Sequence, residues 1–153
     1  MIVGIDPGLT GAIAFWGQDD LIIEDMPTYK VTISGKQRSR ILTSALHGIL
    51  TTYNVQHAFI EKVHALPNNG ATQAFSFGFG CGVIEGVVTA CGIPHTYVAP
   101  QQWKKEMRCP KDKDAARMRA SQLLPDHSDA WKLKKHDGRA EAALIALWGR
   151  FYA

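Results

Sequence analysis

Apolar residues fall in short runs near the start of this chain and in helically spaced sets further along it. Residues 2–5 are almost continuously apolar. Residues 11–16 repeat the pattern after Pro7-Gly8 and Gly11, which predicts a buried strand, a tight bend and an antiparallel neighbour. Leu21-Ile22-Ile23 makes a third, shorter strand, and residues 25–39 read as a polar, mobile loop containing Pro27, Gly35, Lys36 and Arg38. Ser39 is placed to cap a helix whose apolar positions Ile41, Leu42, Ala45, Leu46, Ile49, Leu50 and Tyr53 follow helical spacing. Residues 55–63 return as an apolar strand centred on 57–60. A loop over 64–70, a long helix over 71–91 and a strand over 94–98 follow. Pro110-Lys111-Asp112-Lys113-Asp114 reads as a capping turn before a helix that runs to Leu124, and a last helix starts near His136.

Gly78, Gly82 and Gly86 recur at i, i+4 and i+8 in the long helix. Glycine inside a helix costs up to about 1 kcal/mol relative to alanine. Such a stripe therefore predicts close approach of another backbone, from the sheet, from the same helix of a second subunit, or from both.

Against this pattern four acids are out of place. Asp6 and Glu61 each end an apolar strand, where a carboxylate costs free energy unless something compensates it. The bland alternatives are that Asp6 bonds the amides of its own turn and that Glu61 pairs with Lys62 or a basic loop. Asp137 and Glu141 share a helix face with Leu144 and Trp148, so they head the stripe that the last helix buries. Helix-dipole stabilisation of a first-turn acid is worth only ~0.3–1 kcal/mol, too little to explain that placement by itself. Asp112 and Asp114, and Asp126 and Asp129, are better read as a capping turn and a solvated loop than as metal ligands.

At 153 residues, with 46% hydrophobic and 20% charged positions, the chain is expected to form one folded domain over 1–153. Cys81, Cys91 and Cys109 have neither an even count nor CxxC spacing, so neither a disulfide framework nor a zinc site is expected. No basic segment with an apolar core opens the chain and no apolar run approaches 18 residues, so the expected location is the cytoplasm. The net charge of +3 is unevenly spread. Residues 104–139 carry eleven Lys and Arg against six Asp and Glu, and residues 1–103 carry five against seven. That asymmetry suggests a polyanionic partner or, more simply, a solvated basic face.

Like charges 4 Å apart repel by roughly 4 kcal/mol at an effective dielectric of 20, so acids gathered at one point call for cations. Oxygen-only ligation suits Mg²⁺ or Mn²⁺, and two such ions can generate hydroxide and stabilise the leaving 3′ oxygen of a phosphodiester. No convincing Ser/His/Asp or Cys/His nucleophile arrangement and no Walker-type loop is present.

The strand-end Ile-Asp-Pro-Gly, the Phe-Ile-Glu-Lys-Val strand, the Ala-Pro-Gln-Gln-Trp-Lys-Lys stretch, the Asp-Lys turn and the terminal His-Asp-Gly-Arg-Ala-Glu-Ala helix resemble RuvC-type Holliday junction resolvases, most closely their phage-encoded branch. The likeness runs in order across nearly the whole chain. It implies an α/β, ribonuclease H-like fold: a five-stranded mixed sheet, its first three strands antiparallel, flanked by helices. It also implies a homodimer that nicks a four-way DNA junction symmetrically with two Mg²⁺ ions per active site, Mn²⁺ substituting, and with no membrane and no small-molecule cofactor.

By the same resemblance Asp6, Glu61 and Glu141 match family carboxylates, and Lys104 and Lys113 match lysines near the scissile phosphate. Asp137 and Glu141 stand four apart where the family uses three, so either Asp137 or His136 is the third acid-site ligand; Asp137 shares the face of Glu141 and is preferred. Lys36, Arg38, Arg40, Lys104, Lys105, Lys113, Lys135 and Arg139 are the expected DNA contacts. The aromatic wedge that some members place three residues after the second acid is His64 here, which leaves stacking to Phe75 or Phe77 or to no residue. Other branched DNA or RNA–DNA hybrid as substrate, and a catalytically silent junction-binding protein, are the alternatives.

Overall fold

The computed structural model describes residues 1–18, 20–64 and 70–152, Tyr152 through its backbone alone. The loop expected over 64–70 therefore lies, at 65–69, outside the described residues. In chain order the elements are β1 (Ile2–Ile5), β2 (Ala12–Trp16), β3 (Leu21–Asp25), β4 (Thr28–Ile33), β5 (Lys36–Ile41), α1 (Thr43–Thr52), β6 (His57–Glu61), α2 (Ala71–Ala90), β7 (His95–Val98), α3 (Pro100–Glu106), α4 (Lys113–Leu123) and α5 (Asp137–Tyr152), with 3₁₀ segments between the last two.

β1, β2 and β3 pair antiparallel, and β6 and β7 add in parallel on the other side of β1, giving one five-stranded mixed sheet in the order β3-β2-β1-β6-β7. This is the sheet that the resemblance implied. The parallel strands need crossovers, which α1 and α2 help to supply.

Strand alternation divides the core between the two faces of the sheet. Val3, Ile5, Ile13 and Phe15 pack with Leu46, Leu50, Ile84 and Val88 of α1 and α2. Ala12, Ala14 and Phe59 pack with α5, Trp103 and Trp131 on the opposite face. Small residues let α5 lie close to β1: a Cβ on Gly4 would fall 2.3 Å from the Ala142 carbonyl oxygen. The sequence suggested one buried stripe on α5, yet every residue over 140–149 is buried. Helices α3 and α4 and the 3₁₀ segment also contact it, so its whole circumference is enclosed.

Two expectations are corrected. Residues 28–41 are not a mobile loop but the hairpin β4–β5, closed with Ile33 opposite Lys36. Its two-residue turn, Ser34 (φ 48°) and Gly35 (φ 74°), has the left-handed backbone of a hairpin whose twist matches its strands. β-Branched Thr28, Val31, Thr32 and Ile33 outweigh the polar composition. Ser39 consequently sits within β5, accepting a hydrogen bond from Lys30 Nζ at 2.7 Å, and α1 starts at Thr43 without a side-chain cap. The second correction concerns the glycine stripe. A Cβ on Gly78, Gly82 or Gly86 would meet nothing within 4 Å, and all three are exposed, so the sheet makes no close approach to them.

The three cysteines are free thiols. Among the described residues no helix is long and apolar enough to cross a membrane.

Candidate active site

Parallel pairing of β1 with β6 sets Ile5 opposite Ile60, so the next residues, Asp6 and Glu61, leave the sheet on neighbouring strands roughly 5 Å apart. The Asp6 turn is held by its own amide, which donates to the Ala12 carbonyl at 3.0 Å. α5 delivers the third acid. A Cβ on Gly138 would lie 2.6 Å from the Thr10 carbonyl oxygen and 3.0 Å from Asp6 Oδ2, so only glycine lets the first turn of α5 dock beside Asp6. Glu141 follows within one turn. At 4% and 9% exposure, Glu141 and Glu61 are the charged residues buried among those described.

Two lysines enter this cluster from outside the sheet. Lys104 Nζ on α3 donates to Glu141 Oε1 at 2.9 Å and Lys113 Nζ at the start of α4 donates to Glu141 Oε2 at 2.8 Å. Lys113 also stands 4.0 Å from Asp137 Oδ2. The Asp112 side chain caps α4 by accepting from the Ala115 amide at 2.9 Å, as the turn expected there requires, and so fixes where Lys113 begins the helix. One contact has no counterpart in the sequence reading: the indole of fully buried Trp103 donates to Glu61 Oε1 at 2.9 Å. That bond joins positions 42 apart and is set by packing, so no local pattern announces it.

The electrostatics divide the acids. Burial, then the charges of Glu141 and Glu61, push the Asp6 carboxyl up to about 7, against the weaker opposing charge of Lys113 and a bond from the Gly8 amide of its own turn. Burial also raises Glu61, although the Trp103 bond opposes it. Burial alone would raise Glu141 too, but its hydrogen bonds to Lys113 and Lys104 prevail and hold it below the ordinary carboxylate range.

Three neighbouring carboxylates face two ammonium groups, and Asp6 is left poorly compensated. Such a hard, oxygen-only donor set suits Mg²⁺ or Mn²⁺. Among the described residues no three His, Cys, Asp or Glu side chains are grouped closely enough to hold a metal ion as they stand, and lysines occupy both oxygens of Glu141. Asp137, with Asp6, Thr10, Lys113, Lys134, Lys135 and Gly138, lines a cleft of about 460 Å³ beside these acids. His136 does not line it; the charges that act on it are those of Arg139, Lys135, Asp25 and Arg117.

The expected DNA contacts fall into separate groups. Lys104 and Lys113 bind Glu141, Lys135 borders the acid cleft, and Lys105 is exposed. Lys36, Arg38 and Arg40 line a larger groove on the hairpin side. Arg139 is engaged elsewhere: its Nε and Nη2 each donate to Asp25 at 2.6 Å and its Nη1 to the Ala130 carbonyl at 2.9 Å. Phe75 is 70% exposed and borders the same groove as half-buried Phe77 and exposed His64.

Known structures share this architecture. RuvC of Thermus thermophilus in complex with a Holliday junction substrate aligns with a TM-score of 0.58 at 16% identity, covering 99% of this chain and 96% of that one. A second Thermus thermophilus RuvC structure aligns at 0.56 and 16% identity, covering 97% and 95%. The fold is that of RuvC. In sequence, the chain is 30% identical over 94 residues to the chloroplastic Holliday junction resolvase MOC1 of Chlamydomonas reinhardtii. That match takes in 60% of this chain and spans 11% of the length of MOC1. No family model matches the chain. The resemblance to RuvC-type resolvases drawn from the sequence is met by both comparisons, neither of which bears on the phage-encoded branch.

Proposed function

We propose that this protein is a structure-selective endodeoxyribonuclease that resolves four-way DNA junctions by paired symmetric nicks, acting as a homodimer with divalent metal ions. The observation that carries this reading is the gathering of Asp6, Glu61 and Glu141 within electrostatic reach of one another, with Lys104 and Lys113 bonded to Glu141. The RuvC fold and the MOC1 match favour a branched-DNA substrate.

Asp6, Glu61, Glu141 and Asp137 would hold the metal. Divalent ions bound there would supply a hydroxide nucleophile near neutral pH and stabilise the leaving 3′ oxygen. The chain's own groups do the positioning. Trp103 fixes the Glu61 carboxylate through its indole N–H. Lys104 and Lys113, bonded to Glu141, place positive charge where a phosphate would enter, and Lys135 adds charge at the edge of the cleft. No covalent enzyme intermediate is required.

The exposed stripe of Gly78, Gly82 and Gly86, which the sheet does not approach, supports pairing of α2 with its copy in a second subunit. The test is a synthetic mobile four-way junction beside Y-shaped DNA and RNA–DNA hybrid. Paired nicks at symmetric positions on the junction, dependent on added Mg²⁺ or Mn²⁺ and abolished by EDTA, are expected. Equal cutting of the hybrid, or cutting that survives chelation, refutes the reading.

A further inference from the structure

The last helix carries its acids on one side and is tied down from the other. Asp137 and Glu141 share a face of α5, and Arg139, two positions from each, leaves the helix roughly 200° away at about 100° per residue. Its fork closes on the end of β3. Nε donates to Asp25 Oδ1 and Nη2 to Asp25 Oδ2, both at 2.6 Å, and Nη1 donates to the Ala130 carbonyl at 2.9 Å in the 3₁₀ segment Pro125–Trp131. Every nitrogen of the guanidinium is thus engaged by the protein, and Arg139 lines neither the acid cleft nor the hairpin groove.

β3 anchors the same loop on which α5 docks. The amide of Met26, the residue after Asp25, donates to the Gly11 carbonyl at 3.0 Å. A Cβ on Gly11 would lie 2.1 Å from the Asp6 carbonyl oxygen, and one on Gly138 would lie 2.8 Å from the Gly11 Cα and 3.0 Å from Asp6 Oδ2. Asp6, Gly11 and Gly138 are therefore stacked without slack, and the Asp25–Arg139 pair bridges the two sides of that stack. Exposed ion pairs contribute little to stability, and the Asp25 side chain is 63% exposed. What a bidentate fork adds is direction, because two parallel bonds fix an angle as well as a distance.

We propose that Arg139 is a positioning residue: clamped between Asp25 and the Ala130 carbonyl, it sets the angle at which the first turn of α5 meets the Asp6 loop, and with it the placing of Asp137 and Glu141 relative to Asp6 for holding divalent ions. This removes Arg139 from the expected DNA contacts. The role rests on the nuclease reading for the reaction it serves, while the clamp itself acts on the acids whether or not a junction is the substrate. Misplacement by about 1 Å can cost up to about a hundredfold in rate, so a small tilt of α5 is enough to matter.

The test uses the full-length protein and the variants Asp25→Asn, Arg139→Gln, Arg139→Lys and the double variant D25N/R139Q. Mn²⁺ affinity is read by calorimetry, cutting of a four-way junction under single-turnover conditions, and junction affinity by anisotropy across a salt series. Asp25→Asn and Arg139→Gln are each expected to slow cutting at saturating DNA about tenfold or more and to weaken Mn²⁺ binding at least about threefold. Junction affinity should stay within about twofold with its salt slope unchanged, and the double variant should be no worse than either single one. Arg139→Lys keeps the charge but not the fork and should behave like Arg139→Gln. Thermal melting shows whether each variant is folded; if an Arg139 variant is not, Asp25→Asn decides. A junction affinity that falls in Arg139→Gln with a salt slope smaller by about 0.9 and returns in Arg139→Lys would make Arg139 a phosphate contact and overturn the proposal. So would wild-type cutting and Mn²⁺ affinity in Asp25→Asn, or a loss of stability alone. Mn²⁺ binding that weakens in both single variants of a protein that cuts no junction would uphold the clamp and refute the nuclease reading instead.

Discussion

Where β1 and β6 end at Asp6 and Glu61, two neighbouring regions present opposite electrical problems. On the α5 side, acids are buried against the sheet and two of the chain's own lysines answer them. On the hairpin side, cations line an open groove that among the described residues contains no acid. The first region is compensated internally but incompletely, and the second is not compensated by the chain at all. A site for chemistry needs its charges fixed before the substrate arrives, whereas a binding track keeps its charges available for the partner to neutralise.

The sharpest way to break this comparison is to remove acids one at a time. Asp6→Asn is expected to lower junction cutting by at least about a thousandfold while junction affinity stays within a few-fold, measured by single-turnover kinetics and anisotropy. The same substitution is expected to stabilise the metal-free protein. Because the folded-state Asp6 carboxyl is raised to about 7, the folded protein retains a proton that the unfolded chain has lost. The resulting penalty is absent near pH 4, grows as pH rises and is complete above about pH 7, where removing it should add about 2–4 kcal/mol.

Glu141→Gln should do the reverse. Glu141 is held below the usual range, so its contribution is present at neutral pH and lost as pH falls through its folded-state value. Its removal should cost about 1–3 kcal/mol at pH 7, with the deficit shrinking in acid. Denaturant titrations at pH 4, 6 and 8 check both signs. Equal effects from the two substitutions would erase the distinction between the acids.

A smaller effect is expected at Trp103→Phe, which keeps the ring's packing but deprives Glu61 of its donor. Turnover should fall roughly tenfold with little change in KM for DNA, because Glu61 is displaced while the groove is untouched. The smallest belongs to the hairpin turn. Ser34→Asn, better suited to the left-handed turn, should raise stability by a few tenths to about 0.5 kcal/mol and leave cutting unchanged. A large loss of activity there would mean that the turn itself takes part in the chemistry.

These two regions were unequally legible in the sequence. Asp6 and Glu61 interrupt apolar strands, and Glu141 lies on a face with Leu144 and Trp148, so each acid stood out against a hydrophobic pattern. The hairpin had its signals in Ser34-Gly35 and in the β-branched residues of β4, but Lys36, Arg38 and Arg40 gave the segment the composition of a loop. Ser39 looked like a helix cap because the hydroxyl's partner, Lys30, is adjacent only after β4 and β5 pair. The Trp103–Glu61 bond and the open face of the glycine stripe are tertiary facts, settled by how helices meet the sheet. Periodicity reports which face a residue occupies, not what lies opposite it.

Asp6, Glu61 and Glu141 are proposed to form a divalent-cation site together. Calorimetric titration of the metal-free, full-length protein with Mn²⁺ at pH 7.5 tests it most directly. Saturable binding in the wild type that is lost or weakened at least about tenfold in Asp6→Asn is the predicted result. No binding in the wild type, or equal binding in the variant, would contradict it.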